Sequence, residues 1–200
     1  MAHGNVVSIS SGEDRSDESL MTAVRKGDLQ AFEQLVKRHQ TRIYRMVYKM
    51  LGTDEDAWDV AQEIFIKVYS ARESYVENAK FTTWLYRIAN NAAIDRIRQF
   101  KRSNKVVSME DMTSELETDG TRSPHEDFEL GELRGHVSEA LARLSERQRG
   151  MVVLKYYEGA SVKEIADIFE CATGTVKATL FQALRNMKSH MQSREMEVGS

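Results

Sequence analysis

One proline and one cysteine stand in 200 residues, and no apolar run reaches the length that a membrane span needs. The lone Cys171 excludes a disulfide scaffold, and so little proline argues against a sandwich punctuated by proline turns. Both scarcities suit a helical protein in a reducing compartment. Residues 1–19 lack the basic-then-apolar order of a secretory signal, so a cytoplasmic location without membrane insertion is the expectation. His3, His39, His125, His136 and His190 show no ligand spacing. No glycine-rich phosphate loop and no nucleophile with its base appear either, so no cofactor, metal or catalytic residue is expected. What the chain does have is 41% hydrophobic and 30% charged residues, too apolar for disorder throughout and long enough to bury a core.

The net charge of -3 averages over opposites. From Asp54 to Glu63 five acids meet no Lys or Arg. From Lys80 to Arg102 six bases face only Asp95. From Glu110 to Glu132 nine acids face only Arg122, and from Cys171 to Met191 three bases meet no acid. Such segregation describes a polyanion binder with separate acidic surfaces.

Apolar residues at three-and-four spacing from Asp28 to Leu51 predict an amphipathic helix that Gly52 caps. Ala57, Val60, Ala61, Ile64 and Val68 predict a second helix, with Thr53 and Asp54 as its polar start. A break over Ser74 to Lys80 separates it from a third, which carries Phe81, Trp84, Leu85, Ile88 and Ala92 on one face and gathers bases in its C-terminal half. Ser103 to Asp127 has no periodicity, holds the only proline and reads as a flexible acidic linker. Beyond it Ser145-Glu146-Arg147-Gln148 and Ser161-Val162-Lys163-Glu164 both match the capping box that starts a helix. Thr173 is a plausible N-cap for a longer helix with Val176, Leu180, Ala183, Leu184 and Met187 inward. A short helix, a tight turn and a basic second helix make a helix-turn-helix.

Such a motif places the start of its second helix in the major groove, which puts Thr173, Thr175, Lys177, Ala178, Thr179, Phe181, Gln182 and Arg185 toward DNA. The same stripe also serves a three-helix packing unit that touches no nucleic acid. On the Lys80 to Arg102 helix, aromatic Trp84 beside Lys80, Arg87, Asn90, Asn91, Arg96, Arg98, Lys101 and Arg102 suits unpaired bases held by their phosphates. The competing readings are that Phe81 and Trp84 are core and that the bases are a solvated helix end. Asp56, Asp59, Gln62 and Glu63 are placed outward as unpaired polar groups for a basic protein partner, with a solvated face as the alternative.

These residues together resemble a bacterial sigma factor of the extracytoplasmic-function group, in the sigma-70 superfamily. Asp56-Ala57-Trp58-Asp59-Val60-Ala61-Gln62-Glu63 looks like the family's helix for the polymerase clamp. Phe81-Thr82-Thr83-Trp84-Leu85-Tyr86-Arg87-Ile88-Ala89-Asn90-Asn91 matches its promoter-melting segment, and Glu164-Ile165-Ala166 with Gly174-Thr175-Val176-Lys177 its upstream-element reader. The resemblance spans Ser19 to about Arg102 and Gly131 to about Met191. It implies an all-α protein with a disordered segment 1–18, a polymerase-binding and minus-ten domain over 19–102, an acidic linker 103–130, a minus-thirty-five domain over 131–192 and a tail 193–200. It implies core RNA polymerase as partner, through the beta-prime clamp and beta flap, together with promoter DNA and an anti-sigma protein. The loop before the melting helix would capture a flipped base, with Tyr75, Asn78 and Lys80 as pocket candidates. Two rival readings are a dimeric helix-turn-helix regulator that binds an operator without polymerase, and a metal-dependent enzyme built on the acidic helix.

Overall fold

In a computed structural model the chain is described over residues 15–76, 80–103 and 124–198, the side chains of 124–130, 132 and 194–198 aside. The described residues form helices and turns with no strand: α1 (Asp17–Arg25), α2 (Leu29–Leu51), α3 (Asp54–Ser70), a 3-10 turn (Arg72–Ser74), α4 (Phe81–Arg102), α5 (Pro124–Ala142), α6 (Glu146–Tyr156), α7 (Val162–Ile168) and α8 (Thr173–Val198). The acidic linker expected over 103–130 falls largely on residues 104–123, outside the described ones.

Local chemistry sets most boundaries where the pattern predicts them. Asp28 accepts a hydrogen bond from Ala31 N (3.0 Å) to start α2, and Gly52, in the left-handed region at φ 85°, donates to Tyr48 O (2.8 Å) to end it. Both capping boxes form: Ser145 and Gln148 exchange bonds at 3.3 Å, and Glu164 accepts from Ser161 N at 2.8 Å while donating its own N–H to Ser161 Oγ at 3.1 Å.

Four features differ. Residues 17–25 form a helix of their own, which draws Asp17 and Glu18 out of the segment expected to be disordered. Ser16 caps it, and Leu20, Met21 and Val24 are fully buried against α2 and α4. Helix α5 begins at Pro124, seven residues ahead of the expected domain edge at 131, because proline at the first helical position loses no hydrogen bond. Thr173 is the first residue of α8 itself instead of its cap, and α8 runs on to Val198, beyond the expected end at 192.

Helix α2 is the axis of the first half and packs against α1, α3 and α4, while α8 packs across α5, α6 and α7 in the second. The halves are not separate beads. Helix α6 rests on α2 and α4, α7 rests on α4, and one continuous apolar cluster joins Met50, Leu85 and Ala89 to Met151, Val153 and Ile165. Two features allow the close approach. Arg149 donates to Met50 O at the end of α2 (2.5 Å) and to Leu141 O and Ala142 O at the end of α5 (2.9 and 2.5 Å), so one guanidinium closes two helix C-termini from different halves. Gly150 is buried where a Cβ would overlap Asn90 Oδ1 and stand 3.0 Å from Phe169 Cζ.

Candidate functional site

Three surfaces carry the candidate residues. On α3 the acids expected to point outward unpaired divide. Asp59 and Gln62 are exposed and make no hydrogen bond or ion pair among the described residues. Asp56 instead turns inward, accepting from Thr53 Oγ1 (2.8 Å) and pairing with Arg96 of α4 (3.1 Å). Glu63 pairs with Lys67 one turn on (2.7 Å), and a second Arg96 nitrogen lies 3.9 Å from it. The expectation of unpaired acids is therefore corrected for both: Glu63 finds Lys67 four positions on along α3, a spacing the sequence displays, while Asp56 meets a cation of α4 that spacing along α3 alone does not reveal. Beside Asp59 and Gln62 an apolar groove of about 480 Å³ opens between α2 and α3, lined by Phe32, Val36, Trp58, Phe65, Ile66 and Tyr69. Trp58 is 47% exposed and stacks on Tyr44 with ring centroids 4.4 Å apart. Its signal in the sequence was an aromatic residue among acids.

Helix α4 is the second surface. Lys80, Asn91, Arg98, Lys101 and Arg102 are exposed on it and Arg87 is half-buried. Arg98 lies 4.0 Å from Asp95. Arg96 leaves this set, because its guanidinium braces α3 and lies over Phe100. Tyr75 also leaves the set of pocket residues: its ring is 1% exposed and meets Phe81 and Trp84 edge-on (6.2 and 5.4 Å). Trp84 is half-buried in the same trio, so the core reading holds for Tyr75 and Phe81 and in part for Trp84. Asn78 lies outside the described residues.

Part of the α4 face is met by the second half of the chain. Lys80 Nζ lies 2.5 Å from Glu164 Oε1, and Lys101 Nζ lies 2.5 Å from Glu146 Oε1. Arg87 reaches Glu170 Oε1 (3.0 Å) and donates to Asp167 O (2.8 Å). Glu158, its side chain 5% exposed, accepts from Arg42 Nε (2.6 Å) and from Tyr86 OH (2.8 Å), and its carbonyl accepts from Arg42 Nη2 (2.7 Å). Asn90 is 1% exposed opposite Gly150, and its Oδ1 has no partner among the described residues. Hydrogen bonds from Lys80 and from Ser161 hold the Glu164 carboxyl down at about 2, and the bond from Lys101 lowers that of Glu146. Burial beside the Glu158 carboxylate pushes the Tyr86 phenol above its ordinary value, so it remains a donor.

The third surface, the first turns of α8, stays open. Thr173, Thr175, Lys177, Ala178, Phe181, Gln182 and Arg185 are exposed, Phe181 to 71%, and Thr179 is half-buried over the apolar stripe. Gln182 donates to Asn186 (2.8 Å), a bond that an exposed pair exchanges readily for another partner. The turn ahead of α8 passes through Glu170 in the left-handed region at φ 51°, and Cys171 N closes it onto Ala166 O (3.0 Å). That tight turn sets α7 and α8 in the helix-turn-helix relation. Among the described residues no group of His, Cys, Asp and Glu could hold a metal ion, and no helix is long and apolar enough to cross a membrane.

Comparison with known proteins finds relatives for both halves of the chain. Residues 35–103 match the family model for sigma-70 region 2, and residues 135–187 match that for sigma-70 region 4. The chain is 35% identical over 175 residues to the ECF RNA polymerase sigma factor SigW of Bacillus subtilis, covering 84% of this chain and 93% of that one. It is 31% identical over 181 residues to the RNA polymerase sigma-H factor of Pseudomonas aeruginosa, with 88% and 94% covered. Among solved structures, CnrH in complex with the cytosolic domain of CnrY superposes with a TM-score of 0.65 at 21% identity, over 88% of this chain and 97% of that one. The sigma factor RpoE in complex with the anti-sigma factor NepR from Bartonella quintana gives 0.61 at 19% identity, over 80% and 96%. At those identities the two structures speak to the fold alone.

Proposed function

The chain belongs to the extracytoplasmic-function group of the sigma-70 family and is an alternative sigma factor that directs transcription initiation, and from that premise we propose how its three surfaces divide the work. The region-2 domain, with α1 included, docks on the clamp of core RNA polymerase through Asp59, Gln62 and the apolar groove beside them. The same domain engages the minus-ten element with the α4 face. The region-4 domain lays the start of α8 in the major groove of the minus-thirty-five element.

One observation carries this reading best. A single chain holds an open helix-turn-helix whose reading turns bear no acid, and also a second basic helix with an aromatic root. An operator-binding dimer has no use for that second helix. Lys177 and Arg185 supply phosphate or guanine contacts, while Ala178 and Phe181 offer apolar atoms to thymine methyls. On α4, Lys80, Arg87, Lys101 and Arg102 supply backbone attraction to a strand being separated, and Asn91 a polar contact to it. Polymerase performs the bond-forming chemistry, and this chain contributes recognition in the compartment that holds the DNA. An anti-sigma protein belongs among its partners, as the neighbours' complexes with CnrY and NepR suggest.

Asp59→Lys tests the docking face. Asp59 is exposed and has no ion pair among the described residues, so the substitution should leave folding stability within about 0.5 kcal/mol. Placing a cation against a basic partner should weaken binding to core polymerase by roughly tenfold or more in a fluorescence titration. Unchanged affinity with intact fold would overturn the assignment of this face.

A further inference from the structure

Helix α4 starts without a cap of its own. Its N-cap residue is Lys80, whose ammonium has no acceptor to offer a backbone donor, and no acid stands in its first turn. A helix start that meets DNA cannot carry such an acid without repelling phosphates. The missing acceptor comes from another helix: Glu18 Oε1 of α1 receives the Phe81 N–H at 3.0 Å, from 63 positions away. We propose that Glu18 is a positioning residue for strand engagement, holding the first turn of α4, and with it Lys80 and Trp84, in the pose that meets the separated minus-ten strand. This rests on the reading of α4 as the minus-ten surface.

The contact belongs to a larger brace. The first turn of α1 is fastened from its other side, where Asp17 Oδ1 accepts from Arg38 Nη1 (3.0 Å), Asp17 Oδ2 lies 2.7 Å from His39 Nε2, and Arg38 also donates to Arg15 O (2.6 Å). The His39 ring lies against that of Phe81 with centroids 5.4 Å apart. Main chain and side chain of Phe81 are therefore both held, one by α1 and the other by α2. Helix α1 also packs against the 3-10 turn at Arg72–Ser74, so it braces the chain on both sides of the passage from α3 to α4. Phe81 is fully buried and its ring stands 6.2 Å from those of Tyr75 and Trp84, so a tilt of its backbone carries Trp84 with it. Glu18 thus supplies the acceptor from behind while the first turn of α4 stays free of acid.

The test uses the full-length chain with core polymerase and one promoter fragment recovered by mapping transcript starts with the wild-type chain. Permanganate reactivity of unpaired thymines reports strand separation. E18Q keeps an acceptor of the same reach without the charge, and E18D keeps the charge but falls one methylene short of Phe81 N. E18Q should separate strands as the wild type does, whereas E18A and E18D should do so about fivefold more slowly, the loss of one cap. Affinity for core polymerase should be unchanged in all three, and amide exchange at Phe81 should quicken in E18A and E18D alone. A role confined to holding α1 in place would lower the melting temperature and leave the rate of strand separation as it is. A role confined to charge would spare E18D and slow E18Q. Either result overturns the proposal. Should E18A lose helicity, E18Q and E18D decide. R102A on the same helix separates the two levels: slower strand separation in R102A beside an unaltered E18D removes the assignment of Glu18 alone, while strand separation that R102A also leaves unchanged removes the reading of α4 beneath it.

Discussion

Arg149→Met should lower the unfolding free energy by roughly 3 kcal/mol, seen as an earlier urea midpoint with an unchanged slope. The guanidinium donates to three main-chain carbonyls, of which Met50 O at the end of α2 and Ala142 O at the end of α5 depend on it, while Leu141 O also accepts from Leu144 N (3.1 Å). Each acceptor left without a partner away from water costs about 1–3 kcal/mol, and the cation's favourable interaction with two helix C-termini is lost as well. One effect opposes this. Burial pushes the Arg149 guanidinium below its ordinary pKa, so removing the charge returns some desolvation energy, and methionine refills part of the volume. Two carbonyls left unpaired outweigh one partly buried cation, which fixes the sign. A loss below about 1 kcal/mol would mean that water reaches those carbonyls and that Arg149 does not join the halves.

Gly150→Ala should loosen the contact between the halves more than it stiffens α6. Alanine gains about 1 kcal/mol over glycine inside a helix. Its Cβ, however, would overlap Asn90 Oδ1 and press Phe169 Cζ at 3.0 Å, with Met50 Cε at 3.5 Å behind. Methionine can give way; the short Asn90 amide, fixed on α4, cannot do so without α6 moving. Overpacking of this kind costs typically 1–3 kcal/mol, so the balance falls against the contact of α6 with α4. Hydrogen exchange should therefore quicken along the contact of α6 with α4, at Ala89 to Ala93 and Gly150 to Leu154, while amides inside the α2–α3 pair keep their protection. Uniformly unchanged exchange would place the two helices farther apart than described.

Much of this was legible from residue pattern because it depends on neighbours close in sequence. Both capping boxes, the Gly52 cap and the α7–α8 turn follow from contacts within four or five positions. The failures depend on residues far apart. Asp56 and Arg96 are forty positions distant, so periodicity on α3 marks Asp56 as outward while the fold supplies its partner. Tyr75 lies outside any apolar stripe, and its burial arises only because Phe81 and Trp84 of the next helix close around it. Asn90 sits among Ala89, Ala92 and Ala93, a small-residue face that signals close approach, yet nothing local says that the visitor is Gly150. Helix α1 escaped notice because nine residues give too short a stripe to stand out from a polar segment.

Core RNA polymerase should be mixed with the purified chain and given sheared genomic DNA, and the starts of the resulting transcripts mapped. The predicted result is a set of starts absent with core alone, each preceded by two common sequence blocks about 20–25 base pairs apart, roughly two turns of duplex between the readers. Starts distributed as they are without the chain, or tight protection of a palindromic site by the chain when no polymerase is present, would contradict it.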